Sequence, residues 1–481
     1  MKVLSVTSEL YPLIKTGGLA DVTGALPLAL AGEGVAVATL VPGYPAVLAG
    51  LSEATTILPV ADLFGGEARI VRGVAGALDV IAIDAPHLFG RPGNPYQGPG
   101  GIDWPDNAFR FAALGRVAAS LALGQAAGFQ PDILHLHDWQ AGLAAAYLRQ
   151  QSEPAPGIVT TIHNLAFQGL FPAALLSALG LQPSQFGLDG VEFHGAISYL
   201  KSALVYADRV TTVSPTYADE IRSLEGGMGL DGVLRARGAD MVGILNGIDT
   251  DVWNPETDTL IAAPYGRGQL ARRDANKGAL QRRFGLKTDK RAALCGVVSR
   301  LSWQKGLDIL LDALPVLRGH GMQLAVLGSG EPGIEAGFRV AAEANAGQFG
   351  CVIGYDESLA HLIQAGADFL LVPSRFEPCG LTQLCALRYG CVPVVSRSGG
   401  LADTVIDANA AALTQGVATG VQLPSVTRAA LDHALGRVAT LWRDQQAWRR
   451  VQRNGMGMDV SWKKPAAQYA GLFRSLQKAQ A

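Results

Sequence analysis

Lys2-Val-Leu-Ser-Val-Thr7 runs through Ser8-Glu9-Leu-Tyr-Pro12 into Lys15-Thr-Gly-Gly-Leu-Ala-Asp21-Val22. A β-rich run, a loop, and paired glycines opening an Ala/Leu-rich stretch of helical period make one β-α unit. The same alternation recurs through Ile133–His137, Ile158–Ile162, Arg209–Val213 and Met241–Leu245. Such alternation predicts parallel sheets with helices on both faces. It pauses at Asn246-Gly-Ile-Asp-Thr-Asp-Val-Trp-Asn-Pro255 and a polar, irregular stretch to about Thr288. It resumes with Ala292–Ser299, Gln323–Leu327, Cys351–Ile353, Phe369–Val372 and Val392–Val395. The expected architecture is therefore α/β, with two doubly wound domains at 1–245 and 289–457. Residues 246–288 are expected to hold the linker and the start of the second domain. Residues 458–481, with Trp462, Tyr469 and Phe473, are expected to form a terminal helix with an apolar face.

The composition limits the functions such a chain can have. With 49% hydrophobic and 17% charged residues, 481 residues can bury large cores, which excludes a disordered protein. Basic and acidic side chains number 39 and 41, a net charge of −2, so no global field recruits nucleic acid or an anionic membrane. Any anion must be held by a local cluster. Cys295, Cys351, Cys379, Cys385 and Cys391 are odd in number and lack a C-x-x-C pair, which argues against a disulfide framework and a zinc knuckle. Glu9 and Lys15 break the apolar N-terminal run early, and Arg116 interrupts the best long apolar stretch, 111–129. A reduced, cytoplasmic protein without a membrane partner is expected.

In open parallel sheets ligands bind beyond the carboxyl ends of the strands, so the chemistry is expected in the loops that follow them. Lys15-Thr-Gly-Gly offers close backbone approach, a helix N-terminus and a mobile cation suited to phosphate, although many β-α turns look the same and bind nothing. Ser299-Arg300-Leu-Ser-Trp-Gln-Lys305-Gly places a planar fork and a second cation in one loop, again after a strand; two solvated cations are the plain alternative. The most specific run is Pro373-Ser-Arg-Phe-Glu377-Pro-Cys-Gly-Leu-Thr-Gln383. Pro378 suits a first helical turn, which would leave the amides of Gly380, Leu381 and Thr382 as outward donors. Glu377 would stand at the lip as an acceptor for sugar hydroxyls, or merely complement the helix dipole, worth roughly 0.3–1 kcal/mol.

Three further patterns carry less. His135 and His137 share a strand face, but no third ligand of known spacing accompanies them, so no metal site is expected. His163-Asn164, at a strand end, suits a neutral hydrogen-bonding pair. Gly328-Ser-Gly-Glu-Pro-Gly333 matches a dinucleotide fingerprint, but it follows the second strand of its domain and contains Pro332. Asp249-Thr-Asp251 matches a short metal clamp, and its Asn-Gly and Asn-Pro flanks read better as a turn.

In order along the chain, the runs S-E-L-Y-P-L-I-K-T-G-G-L-A-D-V (8–22), H-D-W-Q-A (137–141), T-I-H-N-L-A-F-Q-G (161–169), N-G-I-D (246–249), V-W-N-P (252–255), S-R-L-S-W-Q-K-G (299–306), S-R-F-E-P-C-G-L-T-Q (374–383) and S-G-G-L-A-D-T-V (398–405) resemble the bacterial glycogen (starch) synthases. The resemblance covers residues 1 to about 469, and K-T-G-G-L resembles the ADP-glucose-using branch. It implies a GT-B fold, two Rossmann-like domains facing across a deep cleft, and a terminal helix returning to the first domain. It implies retaining transfer of glucose from ADP-glucose to the 4-hydroxyl of an α-1,4-glucan, glycogen, with no cofactor and no metal.

Carried onto matching positions, the resemblance puts Lys15 and Gly18, with Arg300 and Lys305, at the diphosphate, and the Gly380, Leu381 and Thr382 amides at the distal phosphate. Cys379 falls in the same donor loop. Asp138, His163, Asn246 and Glu377 would surround the glucose, and Tyr355 would lie against the adenine. His135 receives no role. A glycan-binding scaffold that had lost the chemistry would be expected to lack several of these cations, and a nicotinamide oxidoreductase rests on the Gly328–Gly333 match alone. The sequence leaves the oligomeric state open.

Overall fold

The computed structural model describes residues 1–126, 128–151 and 155–480. The chain forms two compact units, one of Met1–Asn246 together with the chain end from Trp462, the other of Gly247–Ser461.

The first unit is built on β1 (Lys2–Val6), β2 (Ala36–Pro42), β3 (Ser52–Val60), β4 (Ala68–Ala75), β5 (Leu78–Asp84), β6 (Ile133–His137) and β7 (Gly157–Ile162). A small sheet of β8 (Leu170–Pro172), β9 (Glu192–Phe193) and β10 (Ala196–Ser198) is inserted before β11 (Arg209–Thr212) and β12 (Met241–Gly243). Among the described residues the main sheet has the order β12-β11-β7-β6-β1-β2-β5-β4-β3. It departs from the wholly parallel expectation, because β4 pairs antiparallel with both β3 and β5. A hairpin extension of this kind needs only the short turn after Ala75, so it leaves no β-α signature in the sequence.

The interiors of the parallel strands β1, β2, β6, β7 and β11 are buried on both faces, as parallel sheets require, whereas the edge strand β3 is largely exposed. The helix Lys463–Gln480 closes one face of this unit. Its Ala466, Tyr469, Ala470, Phe473 and Leu476 recur at helical spacing and bury against Val3, Val22, Leu26, Ile133 and Val159. Each large apolar side chain buried there contributes about 1.5–3 kcal/mol.

The second unit holds β13 (Leu294–Val298), β14 (Gln323–Gly328), β15 (Phe349–Ile353), β16 (Phe369–Val372), β17 (Val392–Ser396) and β18 (Val421–Leu423), all parallel. Their order, β15-β14-β13-β16-β17-β18, is the 3-2-1-4-5-6 winding of a Rossmann sheet. The direction of winding reverses between β13 and β16 here, and between β1 and β6 in the first unit. Loops that leave those strands splay apart and open a crevice, so the runs after Val6, His137, Val298 and Val372 occupy the two switch points.

The stretch before β13 is not irregular, contrary to its polar reading. It carries the helix Arg273–Arg283, whose buried side is polar except for Leu280. Arg273 donates to the Ala367 and Gln364 carbonyls, and Lys277 pairs with the buried Asp368 at 2.7 Å. A helix anchored by satisfied cations gives no apolar stripe, so periodicity does not find it.

Candidate active site

In the second unit the Arg300 loop is held by backbone pairing. The Leu301 amide donates to the Ser329 carbonyl at 2.9 Å, and the Glu331 amide donates to the Leu301 carbonyl at 2.7 Å. The glycine-rich 328–333 run is thus the shelf for its neighbour loop. Arg300 itself is exposed and makes no ion pair among the described residues.

Lys305 is differently placed from the expectation of two open cations. Its Nζ lies 2.6 Å from Glu377 Oε2, and Ser374 Oγ donates to the same oxygen at 2.9 Å. Glu377 is buried, so the pair is drier than a surface ion pair and correspondingly stronger. Gly306, next to Lys305, makes the approach of the two loops possible. Its φ is +67°, and a Cβ there would sit 2.0 Å from the Pro373 carbonyl oxygen. Arg375 fastens the same two loops. Its guanidinium forks onto Asp308 at 2.7 Å through each nitrogen, donates to the Trp303 carbonyl and stacks 4.3 Å from the Trp303 ring.

The helix after Glu377 begins at Thr382, not at Pro378. Residues 378–381 form an irregular bend, because Gly380 takes φ +73° and Gln383 Nε2 donates to the Cys379 and Gly380 carbonyls. The Gly380, Leu381 and Thr382 amides make no hydrogen bond to other described residues. Cys379 is buried beneath them. The Ser398-Gly-Gly run supports this bend: the Gly400 amide donates to the Glu377 carbonyl at 3.1 Å, and Gly399 has φ +42° with a Cβ position 2.0 Å from that same oxygen. Tyr355, after β15, is 74% exposed and its phenol donates to the Glu357 carboxylate.

In the first unit Glu9 organises the glycine loop. Its buried carboxylate accepts from the Thr16 amide at 2.5 Å, Thr16 Oγ1 at 2.6 Å, the Gly17 amide at 3.2 Å and the Tyr96 phenol at 2.5 Å. Gly18 opens the helix Gly18–Ala31. Lys15 is not simply mobile, for it pairs with Asp21 at 2.8 Å and stands 5.4 Å over the Tyr11 ring.

Asp138, directly after β6, has φ +55° and ψ −169°, a conformation that an L side chain rarely adopts. Its Oδ1 accepts from the His163 amide at 2.7 Å and the Asn164 amide at 3.3 Å. Burial pushes its carboxyl up to about 7, against the pull of those two amides. His135 and His163 are each pushed down to about 3 by burial, and His137 well below its ordinary value for the same reason. All three rings are therefore neutral at pH 7. Asn246 is buried, and its side-chain oxygen has no hydrogen-bond partner among the described residues. Asp249 caps its own turn, accepting from the Asp251 and Val252 amides at 2.9 and 3.2 Å.

The residues predicted from sequence thus fall into two groups, one in each unit: Lys15, Gly18, Asp138 and His163 in the loops at one switch point, Arg300, Lys305, Glu377 and the 380–382 amides at the other. Glu9, Ser374, Arg375 and Gln383 were given no role from sequence. Their only signal was membership of the long motif runs, because their partners lie across loops.

Two Rossmann-like units, each with cations, open amides or buried polar groups in the loops at its switch point, are the build of a GT-B glycosyltransferase. Residues 2–236 match the family model of the starch synthase catalytic domain, and residues 280–449 match group 1 glycosyl transferases. The chain is 60% identical over 480 residues to a glycogen synthase of Rhodopseudomonas palustris, covering 100% of this chain and 98% of that one. It is 60% identical over 476 residues to a glycogen synthase of Methylocella silvestris, covering 99% of each. Its structure is similar to the catalytic domain of starch synthase IV from Arabidopsis thaliana bound to ADP and acarbose, with a TM-score of 0.91, 32% identity and 99% coverage of both chains. The chain belongs to the glycogen and starch synthase family of glycosyltransferases. No described helix is long and apolar enough to cross a membrane.

Proposed function

We propose that this chain elongates glycogen, transferring glucose from ADP-glucose to the non-reducing 4-hydroxyl of an α-1,4-glucan with retention at C1. The observation that carries the reading is the group at the second switch point: Arg300 without an ion pair among the described residues, the Lys305–Glu377 pair and three amides that bond to no other described residue, within one pair of loops. The plant relative's structure holds ADP and acarbose, which supports a nucleoside diphosphate and an α-glucan as the ligands.

Breaking the bond from glucose C1 to the diphosphate builds positive charge on the sugar ring and negative charge on the leaving group. From the second unit, Arg300, Lys305 and the Gly380, Leu381 and Thr382 amides meet the charge growing on the phosphates. From the first unit, Lys15 adds a cation and Gly18 a helix N-terminus. Tyr355 offers an exposed ring for the adenine, and Cys379 lines the donor loop. Glu377 Oε2 is occupied by Lys305 and Ser374, which leaves Oε1 to accept from a sugar hydroxyl. With Glu377 assigned to a sugar hydroxyl, it is not given the nucleophile's place of the usual covalent route to retention. The acceptor 4-hydroxyl then enters on the face that the diphosphate leaves, with neutral His163, Asp138 and Asn246 at the sugar. The chemistry calls for no metal or cofactor.

The test is consumption of ADP-glucose or UDP-glucose, one at a time, with glycogen as acceptor. Turnover of ADP-glucose with a lengthened α-1,4 chain is expected. Absence of glucan-dependent turnover with either donor would overturn the reading.

A further inference from the structure

A chain of hydrogen bonds runs from the middle of the first unit's sheet to His163. Ser5 Oγ lies 3.1 Å from His137 Nε2, and His137 Nδ1 lies 2.9 Å from His163 Nε2. The three residues come from neighbouring elements, Ser5 on β1, His137 on β6 and His163 just after β7. Register explains the alignment: Ser5 is paired with His135, two residues before His137 and on the same strand face. The His135 ring packs 4.1 Å from the His137 ring, and Tyr469 and Phe473 of the terminal helix lie 5.4 and 5.5 Å from His135. Ser5, His135 and His137 are buried, so water does not complete their hydrogen bonds.

The chain admits two proton arrangements. In one, Ser5 donates to His137 Nε2, His137 donates from Nδ1 to His163 Nε2, and His163 carries its proton on Nδ1. In the other, His163 donates from Nε2, His137 donates to Ser5, and His163 Nδ1 is a bare acceptor. The second arrangement leaves the Ser5 hydroxyl proton without an acceptor, because Ser5 Oγ has no further partner among the described residues. An unmade bond from a buried donor is costly, whereas the first arrangement satisfies each group. The neutrality of all three rings leaves no second proton to blur the choice.

We infer that Ser5 and His137 are positioning residues that lock His163 in the Nδ1–H tautomer, so that its second ring nitrogen is a fixed hydrogen-bond donor. Resting on the proposed function, this donor is directed at a hydroxyl oxygen of the transferred sugar, which must therefore accept. His135 and the terminal-helix aromatics keep the relay dry, a task for which the chain end is recruited into the first unit.

The experiment reads the tautomer itself. Protein labelled with ¹⁵N-histidine is examined by NMR through the ring nitrogens, with His163 assigned by its loss in His163→Gln. The wild type is expected to show a protonated Nδ1 and a bare Nε2 on His163. Ser5→Ala is expected to lose that single tautomer and to lower kcat about tenfold, with KM for ADP-glucose unchanged, the scale of one hydrogen bond. Ser5→Thr, which keeps the hydroxyl on a strand, is expected to restore both. A protonated Nε2 in the wild type, or an unaltered tautomer in Ser5→Ala, overturns the inference. If Ser5→Ala does not fold, the wild-type spectrum still decides. The expected tautomers with unchanged kcat would leave the relay standing and overturn the sugar contact given to His163.

Discussion

Lys305 Nζ and Glu377 Oε2 are 2.6 Å apart, although 72 residues separate them in the chain. The cation assigned to the phosphate and the carboxylate assigned to the sugar are therefore one paired unit. Lys305→Ala is expected to lower turnover by about 10²–10³-fold, the scale of one aimed charge-stabilising contact. The double variant with Glu377→Ala should cost much less than the product of the two single effects, because each single change leaves a buried charge without its partner. Steady-state kinetics of the four proteins measure this, and independent effects would contradict the pairing.

Arg300→Ala should also lower turnover by about 10²–10³-fold. Because Arg300 is exposed and has no ion pair among the described residues, the variant's thermal midpoint should match the wild type. Saturating ADP-glucose kinetics and a melting curve on the same preparation check both halves.

Arg375→Ala should destabilise the second unit by about 2 kcal/mol, since it deletes two charge-assisted bonds to Asp308 and one to the Trp303 carbonyl. It should also raise KM for ADP-glucose by loosening the turn that carries Lys305. Chemical denaturation together with donor titration reads the two effects.

Asp138 gives a signed pH dependence. Its folded carboxyl is raised from 3.8 to about 7, so the folded protein holds a proton that the unfolded chain has released. That contribution to stability is full below about pH 4 and is lost as pH rises through about 7, with a slope approaching about 1.4 kcal/mol per unit. Asp138→Asn should abolish the term. Between pH 4 and 7 the unfolding free energy of the wild type should fall relative to that of the variant with that slope; parallel curves would contradict it.

Activity should persist in a strong chelator. In the proposed mechanism the diphosphate charge is met by side chains and amides, and Asp249 is occupied in capping its own turn. Loss on chelation, restored by magnesium or manganese, would return Asp249 and Asp251 to consideration as ligands.

What the amino-acid sequence determined by itself is local. Ten strands and the loops after them were legible, because an apolar run followed by a glycine-containing turn and a helical period is written in adjacent residues. The motif runs 8–22, 299–306 and 374–383 were legible for the same reason, and the winding order places them at the switch points. The tertiary structure decided the rest. The antiparallel edge of β3 and β4 and the polar-faced helix Arg273–Arg283 carry no periodic signal. The burial of Glu9 is completed by Tyr96, 87 residues away, and Lys305 finds its partner in Glu377, 72 residues away. Ser5 meets His137 across 132 residues. A buried polar group must find a partner, but sequence spacing does not name it. Strand register and loop packing do.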